Sequence, residues 1–158
     1  MNIDPVTLAV IQNGLIQVVD EMDLAQEKTA FSSIISEALD RANGIYHRDN
    51  AEVIVQGRRS LPLFVGVMQE TTRSVVERRP DDLAPGDVII VNDPYLGGTH
   101  LMDVKCVRPF FYEGQLWCYL ANSAHWADTG GYVPGGFASG ATEVQQEGLR
   151  IPPTHIVR

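Results

Sequence analysis

Lysine is scarce in this chain of 158 residues, which has a formal net charge of −8. Its two lysines, Lys28 and Lys105, lie outside any G-x-x-x-x-G-K-[ST] pattern, so the sequence has no P-loop for nucleotide phosphates. No stripe of Lys and Arg is present to neutralise the phosphates of nucleic acid. The sequence therefore predicts a protein that does not bind nucleic acid and has no P-loop of its own.

Cysteine is equally rare, with two residues in the chain. Cys106 and Cys118 fall on the two strands of a predicted hairpin at positions that are not opposite each other, which favours reduced, partly buried thiols over a disulfide. Neither belongs to a C-x-x-C pair, which argues against a cysteine-based zinc site.

Long apolar runs are missing as well. No segment approaches the roughly 20 apolar residues that span a bilayer. The first residues, which include Asp4, lack the positive start and apolar middle of a signal peptide. We therefore predict a cytoplasmic protein. With 44% apolar and 20% charged residues, it has the composition of a single soluble domain over residues 1–158.

The N-terminal segment has the pattern of a long amphipathic helix. Asp4 supplies an N-cap acceptor, and Pro5 suits the first helical position. Apolar residues then recur at three- and four-residue steps, which predicts one face that covers a sheet or a partner subunit. These residues are Leu8, Ile11, Leu15, Val18, Met22 and Ala25.

The middle of the chain alternates short helical and extended patterns. Residues 61–67 contain Pro62, which predicts an edge strand or an extended connector. A helix is predicted over residues 67–78, followed by a loop over residues 79–82. The remaining predictions are a helical turn over residues 33–39 that ends at Asp40, a turn at Gly44, a strand over residues 51–55 and a buried strand over residues 88–91.

Two apolar runs, residues 104–111 and 115–121, predict a β-hairpin because three turn residues that include Gly114 separate them. If Glu113-Gly114 forms a two-residue turn, His125 pairs with Met102 and shares a face with His100. A three-residue loop would instead move His125 to the other face.

Each of these histidines begins a His-x-x-Asp segment, which ends at Asp103 in one case and at Asp128 in the other. Two imidazoles with carboxylates nearby predict a metal site at the open end of the hairpin. The alternative is that both are loop histidines that contact backbone carbonyls.

Residues 129–141 are rich in glycine, and we predict little regular structure there. Such a loop serves either as a close contact for a ligand or partner, or as a flexible cover. A short helical turn is predicted over residues 143–148, and no closing element up to Arg158, as expected of a fragment or of one half of a split protein. The overall prediction is an α+β fold, with a long N-terminal amphipathic helix packed on a mixed or antiparallel sheet that contains the C-terminal hairpin.

Five segments of the chain resemble the hydantoinase B/oxoprolinase family. They are DPVTL at residues 4–8, TAFS at 29–32, NDPYLGGTH at 92–100, HWADTGG at 125–131 and QEGLRIPP at 146–153. The family includes N-methylhydantoinase B subunits, the matching half of 5-oxoprolinase and the alpha subunits of acetone-type ketone carboxylases. Its members are several times longer, so the resemblance identifies this chain as an N-terminal portion.

The resemblance also implies partners and cofactors. Family members work with a hydantoinase A-like subunit that has an actin/ATPase-like fold and phosphorylates the substrate with ATP. The resemblance therefore implies a hetero-oligomer in which the partner subunit, and not this chain, binds ATP. The implied ligands of a divalent metal are Asp40, His100 and His125, with Asp103 and Asp128 as further ligands, orienting groups or general bases. This ligand set suits Mn, Fe or Zn.

The chain departs from the family at two positions. Many relatives have a histidine near the position of Phe64 and another at Trp126, whereas both side chains are aromatic here. This difference bears on the substrate, and we predict that Phe64 and Trp126 contact it. An aromatic lining would suit an aryl ketone.

The sequence is compatible with three functions. The first is ATP-dependent opening of a cyclic amide, such as a hydantoin or 5-oxoproline, by water directed to the activated carbon. The second is ketone carboxylation, in which a dry pocket protects reactive intermediates. The third is a non-catalytic module that docks the ATPase subunit. We favour the first, because it is the more numerous activity among similar proteins.

Overall fold

A six-stranded antiparallel sheet with helices on both faces forms the protein in the computed structural model, which describes residues 3–78 and 83–158. The strand order is β2-β1-β5-β4-β3-β6, and every pairing is antiparallel. The predicted α+β class is confirmed. The predicted loop over residues 79–82 lies outside the described residues.

In chain order the elements are α1 (Pro5–Thr29), α2 (Ser33–Ser36), β1 (Arg41–His47), β2 (Val53–Gln56), α3 (Pro62–Arg78), β3 (Val88–Val91), β4 (Asp103–Tyr112), β5 (Gln115–His125) and β6 (Thr154–Val157), with 3-10 turns at Pro94–Leu96 and Val144–Gln146.

Helix α1 begins as predicted, with the Asp4 carboxylate accepting from the amides of Val6 and Thr7. Its buried face differs from the prediction. Val19 and Asp23 are the buried residues, with Leu15 and Met22 packed beside them, whereas Leu8, Ile11 and Val18 of the predicted face are about half exposed. None of the described helices has the length and apolar character needed to cross a membrane.

Helix α3 covers the opposite face of the sheet, where Phe64, Met68 and Val75 join the larger apolar core. The prediction of an extended segment over residues 61–67 was wrong, since α3 starts at Pro62. Proline is tolerated in the first turn of a helix because the amide it lacks would have no intrahelical partner there. Gly44 lies within β1 rather than in a turn. The Tyr46 side chain lies close to it, with its hydroxyl and two ring carbons 2.9–3.1 Å from where a Cβ on Gly44 would be.

The chain also has a closing element that the sequence did not predict. Strand β6 pairs with β3, and His155 Nε2 lies 3.2 Å from Asp87 Oδ2 in a largely buried contact. The expectation of no closing element up to Arg158 was therefore wrong.

The β4–β5 hairpin has the predicted two-residue turn, with positive φ at both Glu113 (49°) and Gly114 (76°). An irregularity between Phe110 and Phe111 shifts the register by one residue. His125 therefore pairs with Asp103 rather than with Met102. The two cysteines are free and are not paired across the hairpin, as predicted. Burial raises the pKa of the Cys118 thiol to about 11.

Candidate metal centre

The side chains of His100, Asp103 and His125 converge at the open end of the hairpin. One potential ligand atom from each lies within 4.8 Å of the others. His100 Nε2 is 3.3 Å from Asp103 Oδ2, and His125 Nδ1 is 3.5 Å from Asp103 Oδ1. The two imidazole centroids are 5.0 Å apart.

The backbone explains how these groups meet. Asp103 is the first residue of β4 and His125 the last of β5, and the two are directly paired, so their side chains share a face. His100 belongs to the loop before β4 rather than to the strand. The alternation of side chains along a strand therefore does not set the direction of the His100 side chain, and its imidazole reaches Asp103 despite the register shift. The prediction that the two imidazoles lie together is thus met, although by a different geometry.

Two of these side chains are buried with unsatisfied polar atoms. Asp103 and His125 are each 2% exposed. Among the described residues, no hydrogen-bond partner is found for Asp103 Oδ1 or for either ring nitrogen of His125. Buried polar groups are nearly always paired. A cation at the point where these atoms converge would satisfy them, so the donor set fits a divalent metal.

Asp40 extends this cluster from the residue before β1. Its Oδ2 is 3.5 Å from His125 Nδ1, and the His125 amide donates to the Asp40 carbonyl over 3.1 Å. Burial raises the pKa of the Asp40 carboxyl and the charge of Asp103 raises it further, against the lowering effect of His125 and His100. A bound cation would offset the repulsion between the two carboxylates.

The other predicted site residues lie elsewhere. Asp128 is exposed and accepts from the amides of Gly130 (2.7 Å) and Gly135 (3.3 Å), and these hydrogen bonds hold its pKa below the usual range. Phe64 belongs to α3 and is 3% exposed, in the core between this helix and the sheet. Trp126 follows His125 and is 41% exposed.

A cavity of about 300 Å³ opens beside the imidazoles. His100 and Met102 line it together with residues 136–139 and Glu147. The ring of Phe137 stacks on that of His125, with centroids 5.6 Å apart and an interplanar angle of 17°. The glycine-rich loop has little regular structure, as predicted. Its residues 136–139 form a wall of the candidate site.

Sequence reasoning missed Asn92, which connects the two loops around the site. This fully buried side chain donates to the carbonyls of Leu101 (2.8 Å) and Leu149 (2.9 Å) and accepts from the amide of Ile151 (2.6 Å). It therefore fixes the backbone that carries His100 and Asp103. Its position directly after a buried strand and before Asp-Pro was the one available signal.

Arg41 was missed as well. Its fully buried guanidinium forms two hydrogen bonds to the Asp23 carboxylate (2.9 and 3.1 Å), and it also contacts Glu27 and the carbonyl of Ile35. Such bidentate, charge-assisted pairs are strong and geometrically specific. The pair connects α1 to the start of β1, next to Asp40.

Comparison with known proteins gives a consistent result. The sequence model of the hydantoinase B/oxoprolinase family matches residues 4–158. The chain is 38% identical over 154 residues to the caprolactamase subunit beta of Pseudomonas jessenii, an alignment that covers 98% of this chain and 26% of that protein. It is 31% identical over 159 residues to the 5-oxoprolinase of Saccharomyces cerevisiae, covering 100% of this chain and 12% of that protein.

Solved structures share the fold. The crystal structure of the ATP-dependent caprolactamase from Pseudomonas jessenii superimposes with a TM-score of 0.88 at 37% identity, covering 99% of this chain and 27% of that one. A nucleotide-free acetone carboxylase also gives a TM-score of 0.88, at 21% identity, covering 97% of this chain and 20% of that one. This chain thus spans about a quarter or less of the length of these relatives.

Proposed function

The chain belongs to the hydantoinase B/oxoprolinase family, and we propose that it supplies the metal-binding part of an ATP-dependent enzyme that opens cyclic amides. The observation that carries the proposal is the set of buried, unpaired atoms of Asp103 and His125, which face His100 and Asp40. A non-catalytic docking module would have no use for such a cluster, because unsatisfied buried polar atoms cost stability.

The four side chains that would hold a divalent Mn, Zn or Fe ion are Asp40, His100, Asp103 and His125. When bound, such an ion lowers the pKa of water and polarises carbonyl oxygens. Thr99 donates through its hydroxyl to Asp103 Oδ2, and the Met102 amide donates to His100 Nδ1 over 3.3 Å. These contacts orient the carboxylate and the imidazole toward each other.

Asp128 was predicted as a second general base. Both of its oxygens accept backbone amides of the glycine-rich loop, and this arrangement supports a role in shaping the cavity wall. We propose that Asp128 orders the loop that carries Phe137 rather than moving a proton.

We propose that ATP is bound by a partner subunit of hydantoinase A type. The absence of a P-loop from this sequence supports this assignment. The related caprolactamase chain is named as a subunit, which also supports an assembly of unlike chains.

Cyclic-amide opening is preferred over ketone carboxylation for two reasons. The caprolactamase is similar in both sequence and fold, whereas the acetone carboxylase, at 21% identity, supports the fold alone. Phe64, one of the two aromatic residues that favour the ketone alternative, lies in the core between α3 and the sheet and is not part of the cavity lining.

Metal content tests this proposal. The full-length chain, purified without chelator or metal resin, is analysed by mass spectrometry as wild type and as the His100→Ala/His125→Ala double variant. We expect near-stoichiometric metal in the wild type and loss in the double variant. His47→Ala is the matched control, since His47 is 46% exposed at the end of β1. A folded wild type without metal would contradict the proposal and favour a docking module.

Activity then separates the two enzymes. With the ATPase partner added, we expect ATP-dependent opening of a cyclic amide and no bicarbonate-dependent loss of ketone. The reverse result would assign the chain to a ketone carboxylase.

A further inference from the structure

Glu147 brings a carboxylate to the cavity beside the imidazoles. Among the described residues that line this cavity it is the one acidic residue, and His100 belongs to the same lining. The cavity measures about 300 Å³, which is room for roughly ten water molecules of about 30 Å³ each. A small ring and the water that attacks it therefore fit together in the space that His100 and Glu147 share.

The Glu147 carboxylate has no partner of its own. The residue is partly buried, and within the described parts of the chain no hydrogen bond or ion pair of its side chain is found. A carboxylate in this condition is available to accept a proton from a ligand in the cavity.

The backbone holds Glu147 in the cavity wall. On one side of it, the Gln146 carbonyl accepts from the Tyr132 amide over 3.0 Å. On the other side, the Leu149 amide donates to the Thr129 carbonyl over 2.8 Å. Both contacts join Glu147 to the segment that follows β5, so the fold itself places this carboxylate beside the candidate site.

The other carboxylates around the site are engaged. Those of Asp40 and Asp103 each lie 3.5 Å from His125 Nδ1 and belong to the candidate ligand set. Both oxygens of Asp128 accept backbone amides. Contacts to a cation or to amides stabilise the charged form of a carboxylate and make it a weaker proton acceptor. Glu147 lacks such contacts among the described residues.

We infer that Glu147 is the proton acceptor of this cavity, the general base that takes a proton from the attacking water. The inference rests on the proposed function and adds a catalytic residue to the same site. The water oxygen forms a bond to the carbon of the phosphorylated amide as one O–H bond breaks, and the proton passes to a Glu147 carboxylate oxygen. The electron pair of the C=N bond moves to the ring nitrogen, to which Glu147 returns the proton. Water is thereby added across the C=N bond, and Glu147 is again a carboxylate.

Proton release on binding of acetohydroxamic acid tests this assignment without ATP or the partner subunit. The probe is a neutral acid at neutral pH and binds metal ions as its anion, so it gives up a proton when it binds. The metal-loaded, full-length chain is titrated with it by calorimetry in buffers of different ionisation enthalpy, which counts the protons that reach the buffer. We expect almost none from the wild type, because Glu147 keeps the proton, and about one per bound probe from Glu147→Gln.

A matched variant and the reaction rate complete the test. Glu52→Gln makes the same change in net charge at an exposed position between β1 and β2, and it should retain the proton as the wild type does. Metal content should equal that of the wild type in both variants. In the complex with the ATPase partner, Glu147→Gln should lower kcat for ring opening by about 10²–10⁴-fold, the usual contribution of a general base. Glu52→Gln should leave kcat unchanged.

The outcomes separate this inference from the function beneath it. Release of a full proton by the wild type, an unchanged kcat in Glu147→Gln, or no binding of the hydroxamate by the metal-loaded wild type would each overturn the inference. Loss of metal from Glu147→Gln would overturn it too, because Glu147 would then be a ligand. Proton retention that depends on Glu147, without ATP-dependent opening of any cyclic amide, would leave Glu147 as the proton acceptor and refute the proposed function.

Discussion

Asn92 shows how one uncharged side chain can position the residues of a candidate metal site without being one of the candidate ligands. Its amide group connects the carbonyls of Leu101 and Leu149, and its carbonyl oxygen accepts from Ile151. The loop has little freedom to adjust, because a Cβ on Gly98 would lie 2.6 Å from the Asp93 carbonyl oxygen. The positions of His100 and Asp103 therefore depend on Asn92.

We expect Asn92→Asp to destabilise the protein by about 2–4 kcal/mol, since the variant loses two buried hydrogen bonds and places a carboxylate against two carbonyl oxygens. Urea denaturation measures this loss. Metal affinity, measured by competition with a chromogenic chelator, should fall roughly 10–100-fold, as for groups that orient metal ligands.

Asn50→Asp is the control for this substitution. Asn50 is exposed, and its side-chain oxygen accepts from the Glu52 amide over 3.1 Å, a contact that aspartate can also make. Stability and metal affinity should both stay near the wild-type values. Retained affinity in Asn92→Asp would show that the loop is held without this amide.

The candidate ligands could be predicted from the sequence, but the reason for their proximity could not. The two His-x-x-Asp segments identified His100, Asp103 and His125 because imidazoles and carboxylates are typical metal ligands. Their pairing was mispredicted, since the irregularity between Phe110 and Phe111 has no signal in residue type. The structural role of Asn92 could not be predicted, because its hydrogen-bond partners are backbone groups of Leu101, Leu149 and Ile151 that are remote in sequence.

At the scale of the elements, the polar contact between His155 and Asp87 supports β6 in addition to the backbone ladder between β6 and β3. His155 Nε2 lies 3.2 Å from Asp87 Oδ2, which also accepts from the Ala84 amide over 2.9 Å. Asp87 is 1% exposed, and no partner for its Oδ1 is found among the described residues. The contact therefore joins an edge strand to a carboxylate that is poorly satisfied without it.

We expect His155→Ala to lower the free energy of unfolding by about 1–3 kcal/mol, because it removes one partner of a buried polar pair. Hydrogen exchange should show loss of protection in β6 while β3 and β4 stay protected, since edge elements open locally before the core does. His47→Ala, at an exposed histidine, is the control. Uniform loss of protection across the sheet would instead mean that β6 is part of the global unfolding unit.

Elements with a local signal were predicted well, and elements fixed by tertiary contacts were not. The Asp4-Pro5 helix start and the Glu113-Gly114 turn follow from caps and backbone conformation. Strand β6 has four residues, too few for a periodic pattern, and it forms because β3 offers an edge. The buried face of α1 was misassigned because Asp23, a charged residue, is buried against Arg41.

At the scale of the whole molecule, the candidate site lies where three separate parts of the chain meet. Asp40 precedes β1, His100 and Asp103 stand at the start of β4, and His125 ends β5. The Arg41–Asp23 pair connects α1 to the same corner of the sheet. A cation held by all three parts would bind the folded chain and not the unfolded one, so its binding would couple to global stability.

We therefore expect added Mn²⁺ or Zn²⁺ to raise the melting temperature of the metal-free, full-length chain, with a gain of about 2.7 kcal/mol in unfolding free energy at a free-metal concentration 100 times the dissociation constant. The His100→Ala/His125→Ala variant should show no such gain, whereas His47→Ala should respond like the wild type. Scanning calorimetry with and without chelator measures the difference. An equal gain in the double variant would place the stabilising ion elsewhere, and no gain in the wild type would mean that the buried atoms of Asp103 and His125 are satisfied by some means other than a metal.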